Sequence, residues 1–259
     1  MNIFNSILLG VIQGLTEFLP ISSSGHLVIG NYLLDIKNNN ILFEVMVHLG
    51  TLLAIIYYYK LELIKISKEC INKDKQAINY VILILVATLP AVFVGLFFNS
   101  EVKSFYNINS VSYCLLITGV IIFSSKFSNQ KSINLNYMNA IIIGIGQAFA
   151  ILPGISRSGI TITIALLLGL NRSEASKFSF FMAIPIVIGA VVLEIMNIDK
   201  INQIHFINLI LGAFSATIAG YLSISWLIKL INKLHFWKFS FYTWSLGCIM
   251  LILDYYGRS

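Results

Sequence analysis

Glu17 and Arg157 carry opposite charges inside two long apolar runs, each broken in the middle by Pro, Gly and Ser. An ionisable group at membrane depth costs at least ~2.5 kcal/mol and by default marks a functional site. The first run reads Gly10-Val-Ile-Gln-Gly-Leu-Thr-Glu-Phe-Leu-Pro-Ile-Ser-Ser-Ser-Gly-His26. Gln13 and Glu17 are four residues apart and share one face of a half-helix. Pro20 ends that half-helix, because it lacks an N–H and its ring clashes with the preceding turn. Ser22, Ser23, Ser24 and Gly25 begin the next one, so free backbone N–H groups and hydroxyls gather at a positive helix end, which suits an anion. His26, in its first turn, is placed to shuttle a proton. The second run reads Gly144-Ile-Gly-Gln-Ala-Phe-Ala-Ile-Leu-Pro-Gly-Ile-Ser-Arg-Ser-Gly159. There Arg157 stands between Ser156 and Ser158 at another half-helix start, and a guanidinium can hold phosphate through two parallel hydrogen bonds. The competing reading of the serines is close packing between membrane helices. For Arg157 it is an ion pair that only neutralises Glu17, which would still join the two runs.

The elements that must position these residues are set by composition. With 58% hydrophobic and 11% charged residues and a mean hydropathy of +0.85, the chain has too little polar surface for a soluble globule. Segments 41–59, 77–98, 111–125, 178–198, 206–228 and 239–256 read as membrane spans. The broken segments 3–34 and 137–169 read as re-entrant hairpins, and no stretch is left for a separate soluble domain. The net charge of +6 is scattered through short loops rather than gathered into a face, which excludes a nucleic-acid partner. Cys70, Cys114 and Cys248 lack metal-ligand or disulfide-framework spacing. The residues before the first apolar run lack a basic region, and Gln13 and Glu17 interrupt the run itself, so a cleaved signal peptide is not expected.

A constant offset of 134 pairs Gly10 with Gly144, Gln13 with Gln147, Ser22 with Ser156, Ser24 with Ser158 and Gly25 with Gly159, an internal repeat of about 1–130 and 131–259. One hairpin plus three spans is an odd number of crossings, so the second repeat is inverted relative to the first. Under that topology one side receives loops 60–76, 126–136, 170–177 and 229–238, with twelve of the 17 Lys and Arg. The other side holds Lys37, Lys103, Lys200 and Arg258. Cytoplasmic loops attract the excess, which puts both termini outside and lets the hairpin tips meet near mid-membrane. The expected fold is an all-α polytopic membrane protein of six transmembrane helices and two re-entrant broken-helix hairpins in an inverted repeat.

The two broken motifs resemble the signatures of bacterial undecaprenyl-diphosphate phosphatases, the bacitracin-resistance family. Phe43-Glu-Val-Met-Val-His-Leu-Gly-Thr-Leu52 and Ala183-Ile-Pro185 extend the similarity over nearly the whole chain. The resemblance implies hydrolysis of undecaprenyl diphosphate to the monophosphate and inorganic phosphate on the outer face of the inner membrane. That reaction recycles the carrier lipid for cell-wall synthesis and confers bacitracin resistance. Gln13 and Glu17 fall on the family's acidic motif, with Gln13 its amide variant, Ser22 to His26 on its Ser-rich loop, and Ser156 to Gly159 on its arginine motif. With a single carboxylate there, a divalent cation, magnesium or else calcium, would be held by Glu17 and largely by the substrate's own phosphates. Glu44 and His48, four apart on the next span, either support the site or are structural.

The expected catalytic residues are Glu17, Ser23, His26 and Arg157. Gln13, Ser22, Ser24, Gly25, Ser156, Ser158 and Gly159 are expected to bind substrate. Ser23 attacks or positions the phosphate, and His26 and Glu17 relay a proton or hold the metal. The sequence ranks none of the three serines and leaves direct attack by water open, along with a homodimer. The rival class is a broken-helix transporter or flippase for an anionic lipid or phosphate compound, and an enzyme that also flips its product combines the two.

Overall fold

The computed structural model describes residues 1–36, 41–129, 131, 133–196, 206–232 and 236–257. Lys37, Lys200, Lys233 and Arg258, four of the charges that orient the chain, lie outside the described residues, as do 197–198 at the end of the fourth expected span. The helices are α1 (Ile3–Phe18), α2 (Ser23–Leu33), α3 (Ile41–Tyr58), α4 (Lys60–Ile71), α5 (Lys75–Phe97), α6 (Asn99–Ser104) and α7 (Ile108–Ser124), followed by α8 (Tyr137–Phe149), α9 (Arg157–Leu167), α10 (Arg172–Met196), α11 (Phe206–Asn232) and α12 (Phe239–Gly257). No strand occurs among the described residues.

Among the described residues five helices are long and apolar enough to cross a membrane, those built on α5, α7, α10, α11 and α12. α3 and α4 make a sixth as a pair bent by 74°. Large apolar side chains stand exposed along these helices, among them Phe93 and Phe97 on α5 and Phe214 and Leu222 on α11. Such a surface is stable only where hydrocarbon replaces water. The chain is a multi-pass membrane protein.

Both expected broken segments are helix pairs. α1 stops at Phe18, two residues before Pro20, and α2 starts at Ser23; α8 stops at Phe149 and α9 starts at Arg157. Taking α1, α2, α3, α5 and α7 in order against α8, α9, α10, α11 and α12, the packing partners exchange. α1 lies on α11 as α8 lies on α5, and α3 lies on α11 as α10 lies on α5. α3 meets α10, and α7 meets α12. Gly10 and Gly144 hold matching places in this arrangement. A Cβ on Gly10 would collide with the Gly212 carbonyl of α11, and one on Gly144 with the Ala87 carbonyl of α5. Gly144→Val should therefore lower folding stability by about 1–3 kcal/mol through overpacking, read as an earlier unfolding transition in detergent. An unchanged transition would mean that α5 and α8 separate freely.

The largest core cluster takes Phe18 from α1, Ile55 from α3, Ala87 from α5, Ile162 from α9, Phe180 from α10 and Ile224 from α11. Both hairpins are thus anchored in one core, next to Glu17.

Two expected loops are helical instead. Residues 60–71 alternate Lys and Glu with Leu and Ile, all good helix formers, and α4 packs Leu63 and Ile66 against the core. Leu61, Ile64 and Ile71 on its other side remain exposed. α10 begins at Arg172 rather than 178, because Asn171 caps it. The Asn171 Oδ1 accepts from the Glu174 N–H at 2.9 Å, and its Nδ2 donates to Glu174 Oε2 at 2.7 Å. The short third span also lengthens, starting at Ile108 behind the cap Asn107.

Candidate active site

Glu17 occupies the last turn of α1, and its carboxylate joins the two hairpins. Oε1 accepts from Arg157 Nη2 at 2.7 Å. Oε2 accepts from Ser23 Oγ at 2.6 Å and from Gln13 Nε2 at 2.9 Å. The ion pair is largely withdrawn from solvent, with side chains 13% exposed for Arg157 and 8% for Glu17. Burying both charges is tolerable because hydrogen bonds satisfy them, and removing either partner strands the other. Arg157 Nη1 donates to the Ser179 carbonyl of α10 at 3.3 Å, which fixes the plane of the guanidinium.

Each half-helix start is built in the same way. Ser22 caps α2 and its Oγ accepts from the Gly25 N–H at 3.3 Å; Ser156 caps α9 and accepts from the Gly159 N–H at 3.0 Å. The hydroxyls of Ser22 and Ser24 are 3.4 Å apart, and those of Ser156 and Ser158 are 3.3 Å apart. By position, the N–H groups of Ser23, Ser24, Arg157 and Ser158 lack intrahelical acceptors. The two loops differ in how the chain reaches the cap. The second turns through Gly154, at φ 96°. In the first, Ser22 itself adopts φ 68° and ψ 101°, a conformation that costs a non-glycine residue about 1–3 kcal/mol.

Burial divides the expected substrate-binding set. Ser156 and Ser158 are 2% and 1% exposed. Ser158 Oγ donates to the Leu19 carbonyl at 3.0 Å, a direct tie from the second hairpin to the first. Gly25 and Gly159 are buried, and so is Gln13, whose Oε1 has no partner. Ser23, Ser24 and His26 are half-buried, and the largely buried Glu17 and Arg157 keep a small exposed fraction, so these five are the site residues open to a ligand. His26 Nδ1 lies 2.7 Å from the Ser22 carbonyl and Nε2 lies 2.7 Å from the Tyr242 hydroxyl. Its ring nitrogens therefore face Ser22 and Tyr242, and the residue bonded to Ser23 is Glu17. On α3, His48 Nδ1 lies 2.7 Å from the Glu44 carbonyl.

Three participants escaped the sequence. Thr118 of α7 braces the second loop, donating to the Gly154 carbonyl at 2.8 Å and accepting from the Ser156 N–H at 3.1 Å. The Ser179 carbonyl accepts from Arg157, and the Tyr242 hydroxyl meets His26. A threonine or serine that bonds backbone within an apolar run, and a tyrosine near the end of a span, are ordinary features of membrane helices. None carried a signal.

Few protein donors for a metal ion gather around Glu17. No group of three His, Cys, Asp or Glu able to hold an ion occurs among the described residues. Magnesium and calcium take six or more oxygens, several of which water and substrate phosphates can supply. Glu17 already has both carboxylate oxygens engaged, and the unpartnered Gln13 Oε1 adds only one neutral oxygen.

A Ser hydroxyl on a carboxylate, an arginine beside it and two capped half-helix starts are the group types that nucleophilic attack on a phosphate ester calls for. Comparison with known proteins agrees with this chemistry. The family model described as "Bacitracin resistance protein BacA" matches residues 6–249. The chain is 38% identical over 261 residues to undecaprenyl-diphosphatase 4 of Bacillus thuringiensis (strain Al Hakam), covering 98% of each chain. It is 38% identical to the undecaprenyl-diphosphatase of Alkaliphilus metalliredigens, covering 98% of this chain and 99% of that one. With the Methanobrevibacter smithii undecaprenyl-diphosphatase the identity is 36%, covering 97% of this chain and 98% of the relative. Matched along nearly its whole length, and with both broken-helix motifs inside the matched region, the chain belongs to the bacitracin resistance protein BacA family.

Proposed function

We propose that the chain hydrolyses undecaprenyl diphosphate to undecaprenyl phosphate and inorganic phosphate, returning the carrier lipid to cell-wall synthesis and conferring bacitracin resistance. The observation that carries this reading is the single carboxylate of Glu17, bonded at once to Ser23 and, across the hairpins, to Arg157. A carrier needs groups that bind an anion, but it has no use for a hydroxyl held on a base, and the names of the relatives do not favour a transporter. Both halves of the pocket come from one chain, so a second copy is not required to build it.

In the first step Ser23 Oγ attacks the terminal phosphorus and its proton passes to Glu17 Oε2. The bond from phosphorus to the bridging oxygen breaks. The departing undecaprenyl phosphate is a monoester whose second pKa is about 6, so it leaves as an anion without needing an acid. Arg157 and the free N–H groups at both helix starts stabilise the transferring group. Water then attacks the phosphoserine. Ser23 Oγ leaves with the proton held by Glu17, and water gives up one proton to solvent, leaving hydrogen phosphate. His26 holds the Ser22 carbonyl and so fixes the turn that presents Ser23. A divalent cation, magnesium or calcium, belongs in this scheme with the substrate, as the counter-ion of its diphosphate.

Phosphate release by the purified full chain given undecaprenyl diphosphate in detergent tests the assignment. Steady release is expected, and its absence with intact folded protein would end it.

In the proposed orientation, which the excess of Lys and Arg in one set of loops supports, the protein lies in the inner membrane with both termini outside and the site open outward. A cysteine introduced at Lys68 on α4, after replacement of the native cysteines, should stay unlabelled by an impermeant thiol reagent added to intact cells. One at Ser104 on α6 should label. The opposite pattern would turn the site to the cytoplasm.

A further inference from the structure

The geometry points to Tyr242 of α12 as a positioning residue for the active site, acting through His26 to hold the turn that carries Ser23. This inference rests on the phosphatase reading above and adds a residue from the far end of the chain to it.

The tautomer of His26 follows from its two neighbours. The Ser22 carbonyl oxygen can only accept, so the His26 Nδ1 that lies 2.7 Å from it carries the proton. In a neutral ring Nε2 then bears a lone pair, and the Tyr242 hydroxyl at 2.7 Å donates to it. The two rings are nearly parallel, 6° apart with centroids separated by 5.7 Å. With each ring nitrogen engaged, His26 has one tautomer and one orientation.

That orientation matters because of what it holds. The Ser22 carbonyl receives His26 twice, from Nδ1 at 2.7 Å and from the backbone N–H at 3.2 Å. Ser22 is the residue with φ 68°, in a left-handed conformation that a serine does not hold unaided. The next residue is Ser23, whose Oγ must stay on Glu17. Without Tyr242 the imidazole loses the bond that fixes its far side, its grip on Ser22 loosens, and Ser23 can drift from the attacking position.

Tyr242 differs from an aromatic residue that merely anchors a helix at the membrane surface. α12 packs chiefly on α7, while the hydroxyl reaches across to α2, 216 residues away in sequence. Its half-exposed ring also sits at the edge of the reachable part of the site.

The test is Tyr242→Phe in the purified full chain, which keeps the ring against His26 and removes only the donor. The expected kcat is roughly three- to tenfold lower, the loss of one hydrogen bond, with KM for undecaprenyl diphosphate within about twofold because no group touching substrate is removed. In histidine-labelled protein, with His26 assigned by comparison with His26→Asn, the nitrogen resonance of Nε2 should move toward that of an unbonded acceptor. Placing 3-fluorotyrosine at 242, which retains the donor, should restore kcat even if the Phe variant unfolds early. Wild-type kcat in Tyr242→Phe, a lower kcat with an unmoved Nε2 resonance, or failure of 3-fluorotyrosine to restore activity would each overturn the inference. A wild-type chain that releases no phosphate would instead overturn the phosphatase reading itself.

Discussion

Ser23→Ala should lose hydrolysis of undecaprenyl diphosphate by roughly a thousandfold or more, the scale on which deletion of a nucleophile removes the pathway rather than one contact. The fold should hardly notice. The substitution removes one 2.6 Å hydrogen bond to Glu17, whose carboxylate keeps Arg157 and Gln13, so the stability cost is about that of a single bond to a charged group, ~1.5–3 kcal/mol at most. The neighbouring serines provide the control, since they have the same hydroxyl in different surroundings. Ser22 caps α2 and is buried, so Ser22→Ala should cost about 1 kcal/mol of stability and only part of the activity. Among the described residues the Ser24 hydroxyl meets the Ser22 hydroxyl at 3.4 Å rather than Glu17, and Ser24→Ala should stay within a few-fold of wild type. The measurement is kcat for the three variants alongside their thermal unfolding. If Ser23→Ala kept more than about a tenth of wild-type kcat, water would be the direct nucleophile and Glu17 its base.

That ranking of the serines was not legible in the sequence, and the reason is local. Ser22, Ser23 and Ser24 are consecutive, and the choice among them depends on the left-handed Ser22, which turns the next hydroxyl toward Glu17. Other parts of the site were legible because they violate a strong rule. Glu17 and Arg157 stand out as charges in apolar runs, and the structure pairs them at 2.7 Å. Gln13 and Glu17 meet as four-residue spacing on a helix requires. The broken helices were readable from Pro20, Pro153 and the serines that follow, since N-caps have a residue-type signature. What failed was reading Lys as loop. α4 is rich in Lys yet helical, because Leu63 and Ile66 fall on one face and find the core, and charge density alone does not report periodicity. Tyr242 failed for another reason. Its partner is 216 residues away, and no local pattern encodes a contact that the packing of the whole chain creates.

The strongest discrimination between a structural and a chemical Arg157 comes from two substitutions that separate its charge from its shape. Arg157→Ala strands Glu17, which the guanidinium contacts at 2.7 Å, and breaking a buried pair in this way should destabilise the protein by about 3–5 kcal/mol. Its inactivity would therefore say little. Arg157→Lys keeps a positive charge that can reach the carboxylate, so most of the folding stability should survive. Lysine cannot reproduce the planar fork that here bonds Glu17 with one arm and the Ser179 carbonyl with the other. With no second arm the group cannot at once stay on Glu17, hold its orientation from α10 and grip two phosphate oxygens. Losing one charge-assisted bond to the transferring phosphoryl group, ~1.5–3 kcal/mol, corresponds to roughly ten- to a hundredfold in kcat/KM. The expected result is a well-folded protein with nearly unchanged unfolding and severely reduced phosphate release. If Arg157 served only to neutralise Glu17, the lysine variant would recover both stability and activity. Retention of more than about a third of wild-type kcat/KM would decide for neutralisation, and the phosphate would then be held by the half-helix N–H groups alone.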